Sequence, residues 1–120
     1  MKDKASFDSF SALDMRAGTI IRVEESKTSK PTWRMTIDLG PELGTRVSCG
    51  AYTNYAAEDL QETQVICIVN LGTMKMGPEK SEVLVLGVSD GSGGTIPLTT
   101  EKRRSSRDSR SIFVTSKRIP

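Results

Sequence analysis

Trp33, Met35, Ile37 and Leu39 alternate with Arg34, Thr36 and Asp38, the two-residue period of a strand that turns one face to a core. An earlier run behaves similarly. Met15, Ala17, Thr19, Ile21 and Val23 alternate with Arg16, Gly18, Ile20, Arg22 and Glu24, so the odd positions are expected inside and Gly18 marks a bulge or bend. Gly40-Pro41-Glu42-Leu43-Gly44 reads as a turn leading to a third strand over 45–51. Residues 55–62 lack proline and glycine and place Ala56 and Leu60 at i, i+4, which predicts a short helix capped by Asn54. Residues 65–69 and 83–88 are continuously apolar, as strands covered on both faces would be. SDGSGG at 89–94 is a turn before a last strand near 95–98. Phe7, Phe10 and Leu13 share one side of a short helical or irregular lead-in.

Strands at short intervals, with one helix between the third and fourth, predict an all-β fold with a short helix: a five-stranded Greek-key barrel of OB-fold type. The expected division is a lead-in over 1–12, the barrel over 13–100 and a tail over 101–120. A chain of 120 residues leaves room for one such domain. The tail changes character: EKRRSSRDSRS has no periodicity, and flexibility is expected there. Residues 1–100 hold ten Lys+Arg against thirteen Asp+Glu, whereas 101–120 hold seven against two. The acidic body cannot draw in a polyanion by its overall field, so any RNA binding has to use a local patch, the tail, or both.

The chemistry is narrowed by what the chain lacks. With no histidine, the commonest general base and the usual partner of a nucleophile are missing, and no enzyme is expected. SDGSGG matches neither a phosphate loop nor a dinucleotide fingerprint, so no cofactor is expected. Cys49 and Cys67 lie in apolar surroundings without a CxxC pair and are expected to be buried free thiols, with no metal site. No apolar run is long enough to cross a bilayer, so membrane insertion is not expected and the cytoplasm is the expected location.

Three blocks, LDMRAGTIIRVEES at 13–26, MTIDLGPE at 35–42 and VNLGTMKMGPEKSEVLVLG at 69–87, occur in the order and spacing of CsaA-type proteins, and the resemblance covers roughly residues 7–100. That family resembles single tRNA-binding domains of OB-fold class, related to those appended to methionyl-tRNA synthetases, and its members are described as export-related chaperones. The resemblance implies that the loop after the fourth strand faces nucleic acid, with Asn70, Lys75, Ser81 and Glu82 at matching places. Gly77-Pro78 departs from the family, where the glycine usually stands one position later. The tail departs as well.

Read from the residues, Lys75 and Lys80 offer ammonium groups to phosphates, while Asn70, Ser81 and Glu82 can exchange hydrogen bonds with bases or ribose hydroxyls. The plainer alternative is that Asn70 and Ser81 stabilise turns and the lysines only solvate the surface. Arg34 and Arg46 would add a cationic spot if the hairpin pairs them. Trp33 falls on the apolar phase, where packing is favoured over base stacking. The expected function is non-catalytic binding of structured RNA of tRNA type, by a homodimer that buries Phe7, Phe10 and Leu13. The alternative is a chaperone that binds unfolded or export-destined polypeptide through Met74 and Met76, flexible thioethers that adapt to varied apolar partners.

Overall fold

Strand β1 (Met15–Glu25) runs through the middle of a five-stranded antiparallel sheet in a computed structural model that describes residues 1–100. On one side it pairs with β2 (Trp33–Asp38), which pairs with β3 (Thr45–Gly50). On the other it pairs with β4 (Gln64–Ile68), which pairs with β7 (Leu84–Val85). Eleven residues let β1 serve both neighbours in turn: Met15 to Thr19 face β4, and Thr19 to Glu25 face β2. The sheet curls into a nearly closed barrel of OB type. Ile20, Met35, Ile37, Leu39, Val65 and Cys67 have no exposed surface and fill it.

The alternation in β2 holds as expected, with Met35 and Ile37 inward and Trp33 packed at the rim, its Nε1 donating to the Tyr55 carbonyl at 3.1 Å. In β1 the expected phase is corrected. Ile20 is fully buried, Ile21 is only partly so, and the register with β2 slips between Ile20 and Arg22. The bulged residue is therefore Ile21, and the slip returns Val23 to the core side opposite Met35. Gly18 serves another purpose: a Cβ there would lie 2.6 Å from both Ile37 Cγ2 and Leu39 Cδ2. The glycine lets β2 side chains lie across the β1 backbone.

The connection from β3 to β4 carries a single helical turn, α2 (Ala57–Leu60), shorter than the expected 55–62. Asn54 does not cap it. Ala56 holds the cap position without a side-chain bond, and Asn54 Nδ2 instead donates to the Thr95 carbonyl at 3.2 Å. The turn is fixed by tertiary contacts: Leu60 is buried in the core, and Glu62 N and Thr63 O bond to Ile20 O and N at 2.7 and 2.9 Å. Tertiary packing overrides weak local propensity here.

Residues 83–88 do not form one strand covered on both faces. Val83 and Val85 point inward while Leu84 and Val88 are about half exposed. After β7 the chain leaves β4 and forms β8 (Gly87–Ser89), which pairs with β9 (Thr95–Pro97). The segment 70–82, expected as a loop, contains a hairpin of β5 (Met74–Met76) and β6 (Glu79–Ser81). Its two-residue turn is Gly77-Pro78, and Gly77 has φ +63°, the left-handed value that the first central position of a type II′ turn demands. The lead-in is α1 (Phe7–Ser11), capped by Ser6 Oγ accepting from Ser9 N at 3.1 Å, with no buried residue. The expected basic tail at 101–120 lies outside the described residues.

Candidate nucleic-acid interface

The hairpin β5–β6 stands against the outer edge of β3, and side chains rather than a full ladder attach it there. Ser81 Oγ accepts from Cys49 N at 3.0 Å and donates to Val83 O at 3.2 Å. Glu82 Oε1 accepts from Val47 N at 2.9 Å, and Glu82 N donates to Val47 O at 2.7 Å. Two oxygens thus satisfy backbone donors that an edge strand would otherwise present to water. Further along, Val85 N donates to Ser48 Oγ at 3.3 Å and Tyr52 Oη donates to Val85 O at 3.0 Å. These bonds bring β3 towards β7 and nearly close the barrel.

Asn70 acts at the other end of the segment. Its Oδ1 accepts from Asp14 N at 2.8 Å and its Nδ2 donates to Ala12 O at 2.9 Å, which ties the end of β4 to the start of β1. Asn70, Ser81 and Glu82 are therefore spent on holding the segment in place. The groups left facing outward are Lys75 and Lys80, which are exposed and directly opposite each other in the hairpin register. Among the described residues neither forms an ion pair, and like charges so placed repel.

The two lysines line an open cleft of about 600 Å³ together with Arg34, Val47, Thr73, Pro78, Glu79 and Glu82. Arg34 comes from β2 and is held by two acids: its Nη1 is 3.2 Å from Glu24 Oε1 and its Nε is 3.3 Å from Glu79 Oε1. Glu79 Oε2 also accepts from Lys27 N at 3.0 Å. Arg46 does not join this group. It stands opposite Ile37, whereas Arg34 stands opposite Cys49, and its guanidinium turns onto the Leu43 and Thr45 carbonyls. The expected Arg34–Arg46 spot is not formed.

Glu79 was absent from the residues singled out by sequence. Its signal was the Gly-Pro turn: a two-residue hairpin puts Glu79 beside Met76 and aims it at the strand below. On the far side of the hairpin a groove of about 800 Å³ runs between the 28–32 loop, the end of β3 and Gly93-Gly94, with Met76 and Pro78 in one wall and Cys49 at its base. Met74 is exposed but does not line it. Cys49 and Cys67 are both buried free thiols. Burial pushes the Cys67 thiol up to about 12, and raises Cys49 too, where the Glu79 carboxylate adds to the shift and Arg34 opposes it.

Residues 15–107 match the family model described as "Putative tRNA binding domain", which spans the barrel, the hairpin and both clefts. The chain belongs to this tRNA-binding domain family. Chaperone CsaA from Bacillus anthracis superposes on 92% of the chain and all of its own length, with a TM-score of 0.82 and 34% identity. CsaA from Picrophilus torridus gives the same TM-score at 29% identity, over 92% of this chain and all of its own. The methionine–tRNA ligase of Methanococcoides burtonii is 36% identical over 84% of the chain, and that of Methanococcus maripaludis 38% identical over 75%. The chain spans only 15% and 13% of those two ligases. No helix among the described residues of this tRNA-binding domain is long and apolar enough to cross a membrane.

Proposed function

We propose that this tRNA-binding domain recognises structured RNA of tRNA type by shape and phosphate contacts, without catalysing a reaction and without a cofactor, in the cytoplasm. The observation that carries the reading is the pair Lys75 and Lys80, opposite each other, without ion-pair partners among the described residues and lining one cleft with Arg34. Cross-strand repulsion is relieved when a phosphate lies between the two ammonium groups, so the free hairpin is arranged for an anion. Asn70, Ser81 and Glu82 contribute by fixing the hairpin, and Arg46 sits outside the cleft. With no aromatic ring among the described residues that line the cleft, base stacking contributes little and sequence preference should be weak.

The domain acts as a homodimer in this reading. Phe7 and Phe10, with ring centroids 6.1 Å apart, sit on a helix with no buried residue, and Leu13 follows them. Two copies of a weak patch at fixed separation raise avidity by about 10²–10⁴ for a ligand that spans both, which favours folded RNA over short strands.

The test is tRNA affinity across a salt series for the wild type and for Lys75→Ala/Lys80→Ala. Losing two phosphate contacts should weaken binding about tenfold or more at moderate salt and lower the salt slope by about 1.5. Unchanged affinity and slope would sink the proposal.

A second reading, binding of unfolded polypeptide, is favoured by the groove beside Met76 and by the likeness to the two CsaA chaperones. It requires salt-insensitive binding to an unfolded protein that is lost when Met74 and Met76 are made polar.

A further inference from the structure

Arg34 presents its guanidinium to the cleft, yet the space before its Nε is filled by a carboxylate of the same chain. Glu79 is an unusual resident there. Its side chain is only 13% exposed, it stands one position from Lys80 and opposite Met76, it lines the same cleft as both hairpin lysines, and it is also held by Lys27 N. The other acid on Arg34 differs in place and in commitment. Glu24 belongs to β1, lies outside the cleft and shares its charge with Arg22 at 3.1 Å.

We infer that Glu79 is a built-in competitor for phosphate, occupying the anion position on Arg34 until a ligand with several correctly spaced phosphates displaces it. The inference rests on the RNA reading for its biological ligand, but the competition is a property of the site itself. An isolated phosphate meets two exposed lysines and a guanidinium already neutralised, so it gains little. A folded RNA that reaches Lys75 and Lys80 with neighbouring phosphates holds a third one before Arg34 at high local concentration, and can outcompete the carboxylate. Glu79 then determines specificity by making the third cation conditional on the first two. Charge alone would attract any polyanion.

The experiment compares inorganic tripolyphosphate and a tRNA transcript as ligands of the full chain at matched salt. Glu79→Gln keeps an oxygen acceptor for Lys27 N and removes the charge. Tripolyphosphate should then bind about three- to tenfold more tightly, and the tRNA salt slope should steepen by about one. The gain should vanish in Glu79→Gln/Arg34→Ala. In the wild-type background, Arg34→Ala should change tripolyphosphate affinity less than about twofold, because that guanidinium is already occupied. Glu24→Gln should give the smaller gain. The inference is overturned by an equal gain in Glu24→Gln, by a gain that survives loss of Arg34, or by a large loss in Arg34→Ala alone, a measurement that stands even if the Glu79 variant folds poorly. Should every variant lack salt-dependent tRNA binding while the tripolyphosphate results hold, the RNA reading fails and the competition stands.

Discussion

The carboxylate of Glu82 accepts from the amide of Val47 at 2.9 Å while the amide of Glu82 donates to the carbonyl of Val47 at 2.7 Å, so one residue meets both backbone groups of another. A side chain here completes what a neighbouring strand would otherwise supply. Glu82→Ala leaves the Val47 amide without an acceptor at a half-buried site and should lower stability by about 1–3 kcal/mol. Glu82→Gln, which keeps an oxygen, should lose less. Chemical denaturation gives the magnitude, and amide exchange should accelerate first at Val47 and Cys49. A loss spread evenly over the barrel would refute this local role.

Gly18→Ala tests the close crossing of β1 and β2. The new methyl would meet Ile37 and Leu39, both without exposed surface, at 2.6 Å, and neither can swing into solvent. Overpacking of this kind costs about 1–3 kcal/mol. A thermal melt within a degree of wild type would show that the strands yield more easily than their packing implies.

Alkaline stability follows from three acids raised by burial, Cys67, Tyr52 and Cys49. Cys67 goes from 9.0 to about 12, and Tyr52 from 10.0 to about 12, chiefly through desolvation and then through charge on Cys67 and Tyr55. Between pH 9 and 12 the folded chain holds protons that the unfolded chain has released, so the stability these groups contribute is intact below about pH 9 and falls as pH rises towards 12. Melting temperature should decline steadily over that window. In Cys67→Ala the decline over that window should be shallower, because only Tyr52 and Cys49 remain as acids raised by burial. A decline of equal steepness in both proteins would contradict the assignment to Cys67.

Phe10 is 45% exposed, so Phe10→Ser should leave the melting temperature of the barrel almost unchanged while shifting sedimentation from dimer to monomer. A dimer of undiminished strength would place self-association elsewhere. A wild-type chain that is monomeric throughout would remove it from the proposed mechanism.

The barrel was largely legible because its core strands carry their period openly: β2 alternates without exception and β4 is apolar from Val65 to Ile68. The phase of β1 was not, since one bulged residue reverses inside and outside, and two adjacent isoleucines do not reveal which of them is extra. Helix α2 was overestimated because its single turn is held by Ile20 and the core, contacts distant in sequence. At the interface, Lys75 and Lys80 were identifiable by charge, but nothing local reveals that Ser81 and Glu82 face inward to β3, because that depends on how a hairpin lies against an edge strand. The partner of Arg34 was hidden for the same reason.

Ser81 and Glu82 occupy the flank of β3 with single atoms from a short ribbon, and this has a bearing on how the molecules coexist when crowded. A second chain seeking to extend the sheet at Val47 or Cys49 finds those donors already taken and a pair of positive charges projecting above them. Growth of ribbons from that border is blocked at its first step, and concentrated solutions should remain free of fibrils nucleated there.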